Sequence, residues 1–208
     1  MTVTDIIEIS PRQCKIMIEE EFAFVLYKGE LRRYRIQKGK PIEESTYRRI
    51  VEEVLVKRAK LRAMNLLKNR AYTEKKLRDK LKNGQYPEYC IEKAIQYVKS
   101  YGYINDERYA EDYLFYHGRS MNRQQLFLKL RERGIPEAVS RTAYETFCAA
   151  GMAPDETELV CRLLAKRKYI PKEADREGRN KTIRYLQQKG FSYDRIMTAF
   201  AVYGKNDE

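Results

Sequence analysis

"LRERGIPEAVSRTAYETF" (130–147) has two counterparts in the same chain, "LKNGQYPEYCIEKAIQYV" (81–98) and "LQQKGFSYDRIMTAFAVY" (186–203). Offsets of 49 and 105 residues bring the three into register without a gap. Leu81, Leu130 and Leu186 then coincide, followed five positions later by Tyr86, Ile135 and Phe191. Further on, Ala94, Ala143 and Ala199 align, then Ile95, Tyr144 and Phe200, then Val98, Phe147 and Tyr203. A helix, a tight turn containing glycine, an apolar plug and a second helix account for this order. The second helices start near Pro87, Pro136 and Ser192. Upstream, each copy carries an apolar pair at helical spacing: Ala63 and Leu67, Ala110 and Leu114, Val160 and Leu164.

The chain therefore carries three copies of a three-helix unit of roughly 45 residues, a length typical of helical repeats. One unit buries little surface alone, so neighbours must pack. The third copy is the least regular. A longer connection, "KRKYIPKEADREGRN", follows its first helix, and Thr182 stands where the others have Leu77 and Leu126. Ile183, one position along, is expected to take that packing slot. The opening residues differ in kind. "CKIMIEE" (14–20) alternates and "FAFVLYK" (22–28) is aromatic and β-branched, which predicts two or three short strands in an antiparallel ribbon. "LRRYRI" (31–36) reads equally as a strand or a helical turn. From Glu43 the pattern turns helical, with Ile50, Val54 and Leu61 at helical spacing. The expected organisation is a β-rich leader over 1–42, then three-helix repeats over 43–100, 101–150 and 151–208. The fold class is mainly α: three tandem helix-turn-helix-like repeats in an elongated curved array, with a small N-terminal β-ribbon.

The formal net charge of +12 points to polyanionic partners or a nucleoprotein surface. The excess is concentrated: Lys and Arg outnumber Asp and Glu by 12 to 4 within residues 58–100. Cys14, Cys90, Cys148 and Cys161 form no C-x-x-C pair and His117 is the only histidine, so neither a zinc site nor a disulfide framework is expected. No phosphate-cradling glycine motif is present, and His117 has no recognisable nucleophile partner. The acids Asp106, Glu107, Glu111 and Asp112 suit helix starts and exposed faces. Catalytic residues, cofactors and metals are therefore not expected. No signal-like or membrane-spanning run occurs, which predicts a cytoplasmic chain.

Cations recur at the same region of every repeat. The first copy offers Arg70, Lys75, Lys76, Arg78 and Lys82, with Lys75, Arg78 and Lys82 near one helical face and Leu77 and Leu81 facing elsewhere. The second offers Arg119, Arg123, Arg131 and Arg133, and the third Arg179, Lys181 and Arg184. Such residues would contact phosphates or an acidic protein surface, giving affinity and salt dependence rather than sequence reading. "GIPEAVSRTAYE" keeps a second reading open, a sequence-specific helix-turn-helix transcription regulator. Three-helix units also use that geometry for packing alone.

"YGYINDERYAEDY" (101–113) joins the first and second copies. Gly102 fits the left-handed residue that ends a helix, with Tyr103 folding back as the apolar contact, and Asn105 or Asp106 fits the next cap. Tyr109, Tyr113 and Tyr116 recur at i, i+4 and i+7, which predicts a core or inter-unit face.

The tract "GYINDERYAEDYL" resembles the characteristic signature of the RecX family, regulators of the bacterial recombinase RecA. "LRERGIPEAV" and "LQQKGFSYDRI" resemble the turn motifs of that family's second and third units. "FAFVLYKGELRRYRIQKGKPI" is similar to the leader of its longer members. The resemblance covers nearly the whole chain. It implies a protein without enzymatic activity that binds RecA or RecA–DNA filaments. Such a protein modulates, mainly by inhibition, filament assembly, ATP hydrolysis and strand exchange, and so recombination, DNA repair and the SOS response. It further implies three tandem three-helix repeats. The chain shows no obvious dimer element, which predicts a monomer, and its basic residues allow non-specific DNA contact as an additional interaction. The acid-heavy "EEE" at 19–21 departs from a leader built to touch DNA.

Overall fold

A computed structural model describes residues 1–205, which divide into two compact units, Met1–Asn105 and a second that begins at Asp106. The first unit opens with three antiparallel strands in the order β1-β2-β3: β1 (Val3–Ser10), β2 (Gln13–Ile18) and β3 (Glu21–Tyr27). Cys14 pairs with Leu26 and Ile16 with Phe24, and Ile16, Phe24 and Leu26 are fully buried. Of the acids at 19–21, Glu19 and Glu20 form the turn between β2 and β3, and Glu21 opens β3 opposite Ile18. Glu19 and Glu20 both take positive φ (51° and 68°), the geometry of a two-residue hairpin turn. β1 begins earlier than the alternation at 14–20 indicates. It is an edge strand, with Ile7 and Ile9 exposed, so its burial does not alternate cleanly.

Residues 31–36 resolve as a helical turn: α1 (Lys28–Arg33) leads to buried Tyr34 and Ile36. A continuous helical rod follows, made of α2 (Glu44–Arg49), a wide turn (Ile50–Leu55) and α3 (Val56–Leu67). In the wide turn the bonding shifts to i→i+5, as in Val56 N–H to the Val51 carbonyl. The extra residue per turn lags the helical phase. Ile50 is buried as its spacing predicts, and the buried line continues through Leu55, Ala59 and Ala63. Leu61, expected on that line, is rotated off it and is 65% exposed. Arg58 fastens the sheet to the rod. Its guanidinium bonds Glu30 of α1 and the Val25 carbonyl of β3 (3.4 Å) and lies over the Tyr27 ring at 4.5 Å.

The first repeat is completed by α4 (Glu74–Asn83) and α5 (Glu88–Ser100). Leu77, Leu81, Cys90, Ala94, Ile95 and Val98 fill one core with the sheet. After α5, Gly102 takes φ +67° and Tyr103 N–H bonds the Val98 carbonyl at 2.9 Å, a helix-ending motif. The apolar contact is not made by Tyr103, whose ring stacks on Tyr101 at the surface. It is made by Ile104, 6% exposed. A phenol keeps its polar tip in water, and isoleucine has none.

The second unit holds two repeats, each with its own core. The first comprises α6 (Asp106–His117), α7 (Arg123–Glu132) and α8 (Glu137–Ala149), with a 3-10 turn at Gly118–Ser120. The second comprises α9 (Glu156–Lys166), α10 (Arg176–Gln188) and α11 (Tyr193–Lys205). The aligned positions Leu130, Ile135, Ala143 and Phe147 are buried, as are Leu186, Phe191, Ala199 and Phe200. On α6, Tyr113 is buried and Tyr109 half-buried, but Tyr116 is 76% exposed. The buried line runs through Ala110, Leu114 and Gly118. Tyr116 lies roughly 120° around the helix from Ala110 at about 100° per residue, so it leaves the core. In α10, Thr182 itself fills the slot of Leu77 and Leu126, with its hydroxyl donating to the Gly178 carbonyl at 3.0 Å. That back-bond satisfies a buried polar group, and Ile183 packs only at the core's edge.

Candidate interaction surface

In the first repeat, Lys75, Lys76 and Lys82 are exposed. Arg70 lies over the Tyr72 ring at 4.6 Å and shares a shallow depression with Lys76, Lys80 and Asp79. Arg78 is different. It is half-buried and bonds Glu74 and Glu92, both at 2.8 Å, with Glu88 at 3.8 Å. Of the Lys75–Arg78–Lys82 face, the central cation is thus directed onto α5 of its own repeat. Burial works against the charge of Arg78, but the bonds to Glu74 and Glu92 outweigh it and raise its pKa. Burial likewise pushes Glu74 up, yet bonds from Lys99 (2.7 Å) and Arg78 hold its carboxyl below the usual range.

In the second repeat Arg119, Arg123 and Arg131 are exposed. Arg123 covers the Phe127 ring at 5.0 Å and reaches Tyr144 at 5.5 Å. Arg133 is half-buried, donates to the Lys129 carbonyl at 2.9 Å and covers Tyr113 at 4.5 Å. In the third repeat Arg179 covers Phe200 at 5.5 Å, Lys181 pairs with Glu177 at 2.8 Å, and Arg184 is exposed. His117 is exposed and rests on the Tyr113 ring at 4.5 Å. Among the described residues no cluster of three or more metal-capable side chains occurs, and no helix is long and apolar enough to cross a membrane.

Counting cations does not reveal a groove in the second unit. It has a volume of about 690 Å³ and lies between α7, the start of α8 and the end of α10. Arg123, Phe127, Leu128 and Arg131 of α7 line one side, Ile135 the floor, and Lys189 the far wall. Asn122, 1% exposed, fixes the walls. Its Oδ1 accepts the Gln125 N–H at 2.9 Å, capping α7, and its Nδ2 donates to the Lys189 carbonyl at 2.9 Å. Gly190 takes φ +93°, a conformation that favours glycine, and a Cβ there would displace the Gln124 side chain, whose Oε1 would lie at 2.1 Å. The sequence signal was Leu128. It lies between the core leucines Leu126 and Leu130, two positions from each, and so must point away from them.

The fold and its exterior define a class, a protein of tandem three-helix repeats with a small sheet at its start and cations on its surface. Comparison with known proteins narrows the class. Residues 59–97 match the model of the first three-helix domain of RecX, and residues 155–200 that of the third. The regulatory protein RecX of Caldanaerobacter subterraneus is 31% identical over 185 residues, covering 88% of this chain and 90% of its own. That of Bacillus velezensis is 29% identical over 197 residues, covering 93% and 74%. The crystal structure of RecX from Lactobacillus salivarius superposes with a TM-score of 0.57 at 26% identity, covering 71% of this chain and 96% of that one. A second crystal structure of a regulatory protein RecX, at 23% identity and TM-score 0.61, shares the fold over 100% of this chain and 99% of that one. The chain belongs to the RecX family of regulatory proteins.

Proposed function

We propose that this protein binds RecA and RecA–DNA filaments and modulates, mainly by inhibition, filament assembly, ATP hydrolysis and strand exchange. The observation that carries the reading is the recurrence of exposed cations in successive repeats: Lys75, Lys76 and Lys82, then Arg119, Arg123 and Arg131, then Arg184. Repeated weak contacts raise avidity without any single strong site, which suits a partner that is itself a repeating polymer. A monomer bound across several protomers would oppose subunit movement or further addition. Direct contact with DNA phosphates is non-specific in this reading and weakens with salt. The family is a regulatory one, and its members' name supports the assignment to recombination control. The experiment is RecA's DNA-dependent ATPase and filament length with and without the protein. A reduced rate and shorter filaments are expected, and no change at a stoichiometric excess refutes the reading.

A further inference from the structure

The α7 groove contains features that the contact with a polyanion does not use. α7 is apolar on two sides. Leu126 and Leu130 are fully buried in their repeat, while Leu128 is 43% exposed on the outer side, next to half-buried Phe127. This outer apolar pair is bracketed by Arg123 and Arg131, eight residues or about 12 Å apart along the helix. Lys189 also lines the groove, with its ammonium over the Tyr185 ring at 5.6 Å. The groove's two carboxylates do not cancel these cations, because Glu137 is paired with Arg141 at 2.9 Å, leaving Glu156 against Arg123 and Arg131.

We propose that this groove docks an acidic, amphipathic helical segment of a protein partner. Its apolar side chains would rest on Leu128 and over Ile135, and carboxylates about two turns apart would meet Arg123 and Arg131. Two observations favour a protein helix over a nucleic-acid strand. The Phe127 ring is not open for base stacking, since Arg123 covers it and Tyr144 meets it edge-on with centroids 5.7 Å apart. The remaining apolar lining is aliphatic, which gives a base no aromatic platform. Charge sign and apolar shape together select a carboxylate-bearing helix in the groove. The proposal rests on the protein-partner reading above and adds the site and the chemistry of the segment it takes.

The test uses the full chain and its Leu128→Glu and Arg131→Glu variants, both changed at exposed positions. Circular dichroism and thermal melting check that each is folded. Fluorescence anisotropy is measured with three probes. One is a labelled helical peptide with two leucines bracketed by glutamates eight residues apart. The second is its lysine-for-glutamate counterpart, and the third a single-stranded 15-nucleotide oligomer. The acidic peptide is expected to bind, each substitution to weaken it at least tenfold, and the lysine peptide not to bind. Equal affinity of wild type and folded variants for the acidic peptide overturns the proposal. So does an oligomer that binds through Leu128 while the acidic peptide does not. Co-sedimentation of the wild-type chain with RecA filaments judges the RecA reading separately. Its failure there, with the peptide result intact, removes that partner and leaves the groove's chemistry standing.

Discussion

Gln85 occupies a position that glycine fills in the other two repeats. Gly134 and Gly190 end α7 and α10 with φ of 86° and 93°, and the aligned residue after α4 is Gln85 at φ 59°. The glycine of the first repeat, Gly84, stands one place early at φ −78°, so it does not use the left-handed freedom of glycine, although a Cβ there would come within 3.1 Å of the Leu81 carbonyl and the Tyr86 ring. A left-handed residue with a Cβ costs about 1–2 kcal/mol, partly offset by the larger chain entropy glycine loses on folding. Gln85→Gly is therefore expected to stabilise the protein by about 0.5–1 kcal/mol, read as a higher midpoint in urea at an unchanged slope. A lower midpoint would mean that the Gln85 side chain supplies more than its backbone conformation costs. The gapless alignment shows a glycine in each turn, with that of the first repeat one place early, but not that Gln85 takes the left-handed conformation in its stead. That depends on the φ of a single residue.

At the scale of elements, the joint between α7 and α10 depends on one buried amide. Asn122→Ala removes the cap of α7, worth about 1 kcal/mol, and leaves the Lys189 carbonyl without its donor, worth about 1–3 kcal/mol more. Asn122→Asp retains the capping oxygen but sets a buried carboxylate oxygen against the Lys189 carbonyl in place of the donor. Both variants are expected to melt below wild type, and equal melting of wild type and Ala would remove the joint's role. The elements themselves were largely legible. Aligned leucines and alanines predicted the buried faces of α4, α5, α7, α8, α10 and α11, because apolar spacing is a direct consequence of packing. β1 was not legible, because an edge strand has no strict alternation to display. Leu61 was misplaced because a wide turn changes the helical phase without changing the residue pattern. In the candidate surface, sequence located the cations but not their partners. Arg78 and Lys181 bind carboxylates of their own repeats, and for Arg78 two of those, Glu88 and Glu92, lie on another helix.

At the scale of the whole molecule, charge and groove fall in different units. Lys and Arg exceed Asp and Glu by 23 to 14 in residues 1–105, and by 19 to 16 in residues 106–208. Three quarters of the excess positive charge thus lies in the first unit, while the apolar groove bracketed by arginines lies in the second. The first unit is also self-contained. One core joins the sheet, α3, α4 and α5, and Arg58 ties β3 and α1 to that helical framework from within the same unit. A unit of this size with its own core is large enough to fold alone. Residues 1–105 are therefore expected to unfold cooperatively in isolation and to retain most of the chain's attraction for polyanions. On a heparin column this fragment should elute at a salt concentration close to that of the full chain, and residues 106–208 well before it, since screening releases the weaker field first. If 106–208 elutes last, clustered arginines outweigh net charge, and the polyanion contact belongs beside the groove rather than apart from it.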